Sequence, residues 1–166
     1  KQKEMNKDVV YYAFGKFYHL NKHYTKAFTQ YARSIEINNE NAKVYANQGE
    51  AMRRMGTVES KYIYASYQRA LELDPKNLDA LYGLAALKFK DKEYYESVKY
   101  CKQIYNIDNN DISALFLYAN AMAEIDTDAS ILLFEEIKTK GIDKVLIAKV
   151  NKKIEEVVQR QEENGI

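Results

Sequence analysis

One motif recurs along the chain at a nearly constant interval, and this periodicity constrains the fold more than any other feature. The first copy begins at Tyr11 and reads Tyr-x2-Phe-Gly-x2-Tyr, and corresponding copies begin at Tyr45, Leu81 and Leu115, in steps of 34, 36 and 34 residues. A fixed period of about 20–50 residues is typical of solenoids built from one repeated supersecondary unit. Because solenoids present extended binding surfaces, the periodicity predicts a class of function without identifying a partner.

Within each period the apolar residues form two stripes with helical spacing. In the first period, one stripe covers residues 11–18 and includes Phe14, the other covers residues 27–35, and polar residues 21–23 separate them. Each period therefore predicts two antiparallel helices, an αα-hairpin. The later predicted helix pairs are 44–55 with 58–73, 78–90 with 94–107, and 112–125 with 129–138, followed by a last helix over about 144–162.

The predicted helix ends contain the residue types that such ends require. Asn41, Asn77 and Asp111 each precede a new apolar stripe, and Asn and Asp are preferred N-caps because their side-chain oxygen accepts a hydrogen bond from a free helix N–H. Gly56 and Gly141 stand where a helix end favours a left-handed residue.

A small residue recurs at one position of every first helix. The four residues at this position are Gly15, Gly49, Ala85 and Ala119. Glycine destabilises a helix interior by about 1 kcal/mol relative to alanine, so its presence indicates a steric requirement. We expect the two helices of a hairpin to approach closely there.

These features resemble the tetratricopeptide-repeat family, whose 34-residue pattern is W-x2-L-G-x2-Y, then A-x3-F, then P. The second copy ends in Ala-Leu-Glu-Leu-Asp-Pro at residues 70–75, as that pattern requires. The resemblance implies an all-α, right-handed α-solenoid of about four antiparallel helix hairpins with a C-terminal capping helix.

The resemblance divides the chain into six segments. The third copy has Ser97 and Cys101 in place of the usual alanine and aromatic residue, and the fourth is about two residues short before Ala129. The segments are a polar N-terminal extension (1–7), repeat one (8–41), repeat two with a two-residue insertion (42–77), repeat three (78–111), a shortened repeat four (112–140), and a capping helix with its tail (141–166).

In this family the first helix of each repeat lines a concave groove that holds a peptide or a helix of another protein. Carried over residue by residue, the resemblance implies a candidate groove of Tyr12, Lys16, His19, Lys43, Asn47, Glu50, Arg53, Arg54, Asp79, Tyr82, Phe89, Lys90, Phe116 and Asn120, with Val9, Ala46, Ala86, Ser113 and Ala123 on the same face. The mixture of aromatic and cationic residues suits an extended or helical segment with apolar anchors and some acidic character. The alternative is that these side chains pack on neighbouring repeats.

One sub-class of the family clamps the C-terminal carboxylate of heat-shock chaperones with Lys and Asn, then Asn, then Lys and Arg. The matching positions here are Tyr12, Lys16, Asn47, Asp79 and Gly83. Only Asn47 fits, so the sequence disfavours this clamp.

Composition disfavours several other functions. Charged residues make up 30% of the chain and the net charge is +1, so no basic stripe for nucleic acid is expected, and the 15 tyrosines are interpreted mainly as core residues. No apolar run is long enough to insert into a membrane. Cys101, the only cysteine, is predicted to be a buried core thiol. A chain without disulfides fits a reducing compartment, although a secreted protein without them would have the same composition.

No pattern of catalytic, metal-binding or cofactor-binding residues stands out. His19 and His23 have the spacing of a zinc pair but lack a third ligand nearby. The segment 108–111 resembles the start of a calcium loop but lacks the later glycine and glutamate. Neither a phosphate-binding glycine loop nor a nucleophile elbow is present, so we expect no enzyme activity, no metal and no cofactor.

Two hypotheses follow. The first is a non-catalytic scaffold that binds a peptide or helix of a partner protein in its groove. The alternative is a structural or self-assembly module of a larger protein that binds through its ends or its last helix, since that helix is rich in charge and the chain begins at Lys1 rather than Met. The sequence leaves the oligomeric state open.

Overall fold

The computed structural model describes residues 6–140, 143–163 and 165, and all regular structure within these ranges is α-helical. Two helices have the predicted bounds, and the others begin or end within a few residues of them. The helices are α1 (Lys7–Leu20), α2 (Tyr24–Ile37), α3 (Ala42–Met55), α4 (Ser60–Leu73), α5 (Leu78–Lys90), α6 (Tyr94–Ile107), α7 (Ile112–Met122), α8 (Thr127–Lys140) and α9 (Lys144–Glu163). The predicted fold class, an all-α array of helix hairpins, is confirmed.

The helices form two compact units, one up to Leu84 and the other from Ala85 onward. In the first unit, α1 packs on α2, α2 on α3 and α3 on α4, and α1 also contacts α3. In the second unit, α6 packs on α7, α7 on α8 and α8 on α9. The contact between α1 and α3 places the first helices of adjacent hairpins side by side.

The three predicted N-caps are confirmed. The side-chain oxygen of Asn41 accepts a hydrogen bond from the Lys43 N–H at 3.1 Å. The side-chain oxygens of Asn77 and Asp111 each accept one at 3.0 Å from the backbone N–H three residues later in the chain. Gly56 ends α3 with φ +73°, in the predicted left-handed conformation. Gly141 and most of the predicted N-terminal extension lie outside the described residues, although Lys7 already belongs to α1.

The small residues on the first helices make room for the second helices. A Cβ on Gly15 would lie 2.4 Å from Cε1 of Tyr31, and one on Gly49 would lie 2.9 Å from Cε1 of Tyr67. Real Cβ atoms do not come that close to carbon, so glycine allows these two buried rings to pack against the helix. The predicted close approach is confirmed in the first unit.

The second unit achieves the same approach with a hydrogen bond. The Ser97 hydroxyl donates to the Ala85 carbonyl oxygen at 2.9 Å, and the Ser130 hydroxyl donates to the Ala119 carbonyl oxygen at 2.9 Å. Both serines are fully buried. Their side chains are short enough to keep the helices together and are satisfied by the opposite backbone.

Two sequence expectations need correction. The predicted packing residue Phe14 is 52% exposed, because no helix precedes α1 in the described part of the chain to cover it. The fourth repeat pairs Ser130 and Phe134 with α7, both fully buried, whereas the sequence alignment places Ala129 at the serine position.

Within the second unit, the last helix packs on α8. Val150 and Val157 of α9 are buried in a cluster with Phe134 and Ile137 of α8. Arg160 of α9 also pairs with Glu124 at 2.7 Å. The apolar side of α9 therefore covers α8, while its other side carries exposed lysines and glutamates.

Candidate functional site

The first helices of the first two hairpins are linked by polar side chains. The Asn47 amide of α3 donates to the Tyr12 hydroxyl of α1 at 3.4 Å, and also to the Lys43 carbonyl oxygen at 2.7 Å. Neighbouring Cβ positions three or four residues apart share one helix face. The structure thus brings Tyr12, Lys43 and Asn47 together on one surface, which we call the α1–α3 face.

Tyr12 lies half-buried in this face. Its ring centroid is 6.1 Å from that of Tyr31, and the Lys16 ammonium lies 5.9 Å from its ring centroid. Burial raises the pKa of the Tyr12 phenol, the carboxylate of Asp79 acts in the same direction, and the Asn47 hydrogen bond partly opposes both. The phenol therefore stays neutral and can donate a hydrogen bond.

Glu50 is the centre of a charged cluster on α3. Arg53 donates two hydrogen bonds of 2.7 Å to its carboxylate, Arg54 donates one of 2.7 Å, and the Tyr67 hydroxyl donates one of 3.0 Å. Burial alone would raise the pKa of Glu50, but the hydrogen bonds from the two arginines outweigh it and hold the pKa below its ordinary value. One carboxylate thus faces two guanidinium groups, and the cluster has a net positive charge.

Two buried polar atoms beneath the α1–α3 face have no partner among the described residues: Nδ1 of His19 and the hydroxyl oxygen of Tyr31. The His19 ring packs edge-on against Tyr24, with the centroids 5.4 Å apart. Burial lowers the pKa of His19, and the Glu50 carboxylate only partly offsets this effect. Buried polar groups are nearly always satisfied by protein, water or ligand. These two atoms are therefore exceptions within the described residues.

Exposure separates the predicted groove residues of the first unit into two groups. Tyr12, His19, Asn47, Glu50, Arg53 and Tyr82 are half-buried, whereas Val9, Lys16, Lys43, Arg54 and Asp79 are exposed. Ala46 is an exception, because it is fully buried and lines no surface. The sequence placed it in the groove because it lies between two packing positions.

The predicted groove residues of the second unit lie on α5 and α7. Phe89 packs edge-on against Tyr94 with centroids 5.6 Å apart, and the Asn120 amide donates to the Phe116 carbonyl oxygen at 2.6 Å. Lys90 and Ser113 are exposed, and Ala86 and Ala123 are half-buried. The Asn120 amide is thus satisfied within its own helix.

Phe116 is enclosed more than the sequence indicated. Its ring packs edge-on against Phe134 with centroids 5.7 Å apart, and the ammonium of Lys149 lies 4.5 Å from the centroid of its ring. Lys149 belongs to α9, so the last helix reaches the first-helix side of the fourth hairpin. No local sequence pattern indicates this contact, because it depends on the angle at which α9 packs.

The sequence analysis also missed that Tyr67 contacts a residue of the candidate groove. The sequence identifies it as the aromatic packing residue of its repeat, and it is indeed 1% exposed, but its hydroxyl reaches Glu50. A tyrosine instead of phenylalanine at this position is the only sequence signal of that contact.

Other kinds of site find no support in the described residues. No cluster of three His, Cys, Asp or Glu side chains there has the arrangement of a metal site. His23 is exposed and stands at the start of α2, apart from the buried His19 nitrogen. None of the described helices has both the length and the apolar character needed to cross a membrane.

Comparison with known proteins supports the repeat assignment. No family model matches the chain. Over 123 residues, or 71% of its length, the chain is 28% identical to a tetratricopeptide-repeat-containing protein of Methanocaldococcus jannaschii, and it spans only 21% of that relative. The resemblance stated from the sequence is thus found again in a curated protein.

Two solved structures illustrate the similarity in fold. The residues 41-to-end fragment of MamA from Desulfovibrio magneticus superposes with a TM-score of 0.83 at 14% identity, covering 96% of this chain and 88% of that one. YrrB, described as a tetratricopeptide-repeat protein with an unusual peptide-binding site, gives a TM-score of 0.75 at 18% identity, covering 92% and 76%.

Proposed function

Because the chain has the fold and repeat pattern of the tetratricopeptide-repeat family, we propose that it is a non-catalytic protein-interaction scaffold. Its α1–α3 face binds a peptide or a helix of a partner protein. Proteins with these repeats generally act as scaffolds, and the curated relative and YrrB contain the same repeat. YrrB is itself described as having a peptide-binding site, which supports a similar use of this surface.

The observation that carries the proposal is the pair of exposed lysines on the α1–α3 face that no carboxylate of the described residues neutralises. Lys16 and Lys43 are exposed, and neither forms an ion pair within the described residues. Beside them, the half-buried Tyr12 ring of α1 and the Asn47 amide of α3 meet on the same face. A peptide on this face would place its carboxylate or carbonyl oxygens within reach of two ammonium groups that no carboxylate of the described residues pairs with.

The charge of the face defines the ligand further. Lys16, Lys43 and the Glu50 cluster are positive, and Asp79 supplies the opposing negative charge. A mildly acidic segment is thus favoured electrostatically. The half-buried ring of Tyr12 offers an apolar contact beside these charges.

The proposal does not extend to the chaperone carboxylate clamp. That clamp needs cations where this chain has Asp79 and Gly83. A Cβ on Gly83 would lie 2.2 Å from Cζ of Tyr67, so a lysine or arginine has no room there. The Asn47 amide, the one matching group, already bonds to Lys43 and Tyr12.

The test uses a charge reversal that leaves the packing intact. A random peptide library is displayed and selected on the wild-type chain, and the affinity of the selected peptides is then measured for the variant Lys16→Glu/Lys43→Glu. The matched control is Lys76→Glu/Lys102→Glu, which changes the net charge equally at exposed lysines that belong to neither α1 nor α3. We expect the face variant to weaken binding about tenfold and the control to change it little.

Lysines are chosen because Lys16 and Lys43 form no ion pair within the described residues. Arg53→Glu would set a second carboxylate against Glu50, which is only 25% exposed, and the loss of stability would obscure the loss of binding. If the selected peptides bind the face variant as tightly as wild type, the α1–α3 face is not the working surface.

A second candidate, assembly through the end of the repeat array, is favoured by one observation. On α1, Phe14, Phe17 and Leu20 are 52%, 59% and 79% exposed, and large exposed apolar patches mark interaction sites. Sedimentation at increasing concentration tests it. A mass that rises in the wild type and stays monomeric in Phe14→Ser/Phe17→Ser supports assembly, whereas a constant monomer mass excludes self-association.

A further inference from the structure

A second surface lies at the edge of the first unit, where helices begin and end. It contains a cleft of about 490 Å³ lined by Lys22, Lys26 and Arg54, together with His23, Tyr24, Thr25, Met55 and Thr57. None of the described residues that line this cleft is acidic. The first turn of α2, which opens on it, contains no acidic residue either, so its partial positive charge adds to that of the three cations.

The cations of this cleft are only partly compensated. Lys22 and Lys26 form no ion pair within the described residues, and the Lys26 ammonium lies 5.6 Å from the centroid of the Tyr18 ring instead. Arg54 shares the Glu50 carboxylate with Arg53. The positive charges of Lys22 and Lys26 are therefore not neutralised by any carboxylate of the described residues, whereas that of Arg54 is neutralised in part.

An apolar cleft of about 230 Å³ adjoins the cationic one. It is lined by Phe28, Met52, Met55, Val58 and Tyr62, so Met55 belongs to both clefts. Tyr62 is 55% exposed although it carries a large apolar ring. The nearest acidic side chain of this connection, Glu59, pairs with Lys61 at 2.8 Å and lines neither cleft.

Both clefts are lined in part by the connection between α3 and α4, where the sequence predicts the two-residue insertion of the second repeat. The connection from α3 to α4 spans residues 56–59, and within it Thr57 lines the cationic cleft and Val58 lines the apolar one. Gly56 begins this connection in the left-handed conformation. This connection thus contributes one lining residue to each of the two adjoining clefts.

We propose that these adjoining clefts form a second docking surface, distinct from the α1–α3 face, for an acidic protein segment that carries one large apolar side chain. The apolar side chain enters the cleft between Met55 and Tyr62. Aspartate or glutamate residues beside it pair with Lys22, Lys26 and Arg54. We call this the insertion surface.

Charge and shape together determine this choice of partner. Two lysines without a carboxylate partner among the described residues, beside an arginine that is only partly neutralised, attract a negatively charged segment and repel a basic one. Methionine side chains adapt to varied apolar partners, and the aromatic ring of Tyr62 provides a rigid contact of the kind found at interface anchors. A segment that combines both features satisfies both clefts at once.

The experiment measures fluorescence anisotropy with a labelled peptide that contains one leucine followed by a run of aspartates and glutamates. The chain is compared with Lys22→Glu/Lys26→Glu and with Tyr62→Ser, all at exposed positions. Lys76→Glu/Lys102→Glu is the control for net charge, and Lys16→Glu/Lys43→Glu is the control for the α1–α3 face. Circular dichroism checks that each variant keeps its helices.

We expect Lys22→Glu/Lys26→Glu to weaken binding about tenfold and Tyr62→Ser to weaken it several-fold, while both lysine controls bind as the wild type does. A peptide with serine in place of leucine is expected to lose its sensitivity to Tyr62→Ser. Binding is also expected to weaken as salt is raised.

Other results would overturn the inference. Absence of binding at low salt, or equal weakening by the net-charge control, would mean that the clefts do not select an acidic segment. Weakening by Lys16→Glu/Lys43→Glu alone would place the peptide on the α1–α3 face, which supports the proposed function but not this surface. Self-association of the chain that Tyr62→Ser abolishes would identify a second copy as the occupant.

Discussion

The ring of Tyr67 fills the space that a side chain on Gly83 would need: a Cβ there would lie 2.2 Å from Cζ of the ring. The same ring lies against Gly49, where a Cβ would be 2.9 Å from Cε1. One aromatic side chain of α4 thus packs between glycines of α3 and α5. Because Tyr67 is 1% exposed and its hydroxyl is bonded to Glu50, the ring has little freedom to move away.

Gly83→Ala is expected to lower the free energy of unfolding by about 1–3 kcal/mol, because the added methyl group overpacks the ring. The gain in helix propensity, about 1 kcal/mol for Gly to Ala, only partly offsets this cost. Urea unfolding followed by circular dichroism measures the difference.

The control places the same substitution in a Tyr67→Leu background, which removes the ring. We expect Gly83→Ala to cost much less there, since contacting residues show a large coupling energy in a double-mutant cycle. An equal cost in both backgrounds would show that the ring is not the cause.

Glu50→Gln is expected to destabilise the first unit in a pH-dependent way. The folded-state pKa of Glu50 lies below its ordinary value of 4.5, so the carboxylate contributes stability above that value and loses it as the pH falls through the folded-state pKa. Near neutral pH we expect a loss of about 1–3 kcal/mol, typical of hydrogen bonds to charged groups. Urea unfolding near pH 7 and near pH 3 measures the difference.

Glu72→Gln is the matched control, because Glu72 also pairs with an arginine, Arg69, but is 61% exposed. Exposed ion pairs contribute little to stability, so we expect almost no change. A Glu50→Gln penalty that stays the same at acidic pH would argue against the ionised cluster as its source.

Helix boundaries were predictable where local chemistry determines them. Asn77 caps α5, and the bounds of α5 and α6 follow from apolar periodicity together with the polar turn at residues 91–93. Such signals act within a few residues along the chain, so the sequence alone reveals them. The start of α4 was less clear, since Val58 continues the apolar pattern but lies before the first helical residue, Ser60.

Features that depend on packing between helices were harder to predict. Ala129 matches the family pattern better than Ser130, yet Ser130 is the buried residue that bonds to α7. The four-residue spacing between Ser130 and Phe134, the same as between Ser97 and Cys101, was the available signal. Similarly, nothing local to Gly83 indicates that a ring from another helix lies against it.

The candidate surface shows the same division. The resemblance identified the helix positions of Tyr12, Asn47 and Glu50, and the structure brings these side chains close together in one unit. It could not identify the clefts beside the α3–α4 connection, because they combine residues of three helices and two connections. The insertion itself was visible as the step of 36 residues between Tyr45 and Leu81.

The Cys101 thiol is expected to resist alkylation in the folded protein. It is 1% exposed, and burial raises its pKa to about 12 although Ser97 opposes this with a hydrogen bond. Since the thiolate is the reactive form, iodoacetamide near pH 8 should modify it only when the chain unfolds. Mass spectrometry over time, with and without urea, measures this protection.

Lys102→Cys in a Cys101→Ser background provides the comparison, because Lys102 is the exposed neighbour on the same helix. Its thiol should be alkylated at the rate of a free cysteine in both conditions. Rapid native modification of Cys101 would mean that α6 opens locally far more often than its buried position implies.

Gly56→Ala separates backbone conformation from steric clash. Gly56 has φ +73°, but a Cβ there would meet no atom within 4 Å, so the substitution strains only the backbone. A left-handed conformation costs an alanine roughly 1–2 kcal/mol. Part of this loss of stability is offset, because alanine lowers the conformational entropy of the unfolded chain. We expect a net loss of about 1 kcal/mol in urea unfolding.

Gly56→Asn is the matched variant, since asparagine adopts the left-handed conformation more readily than alanine. It should lose clearly less stability than Gly56→Ala. If both lose the same amount, the cost arises from the side chain and not from φ. Gly56 begins the connection that contains Thr57 and Val58. Gly56→Ala should therefore also weaken the binding of the acidic peptide to the insertion surface, whereas Gly56→Asn should leave that binding unchanged.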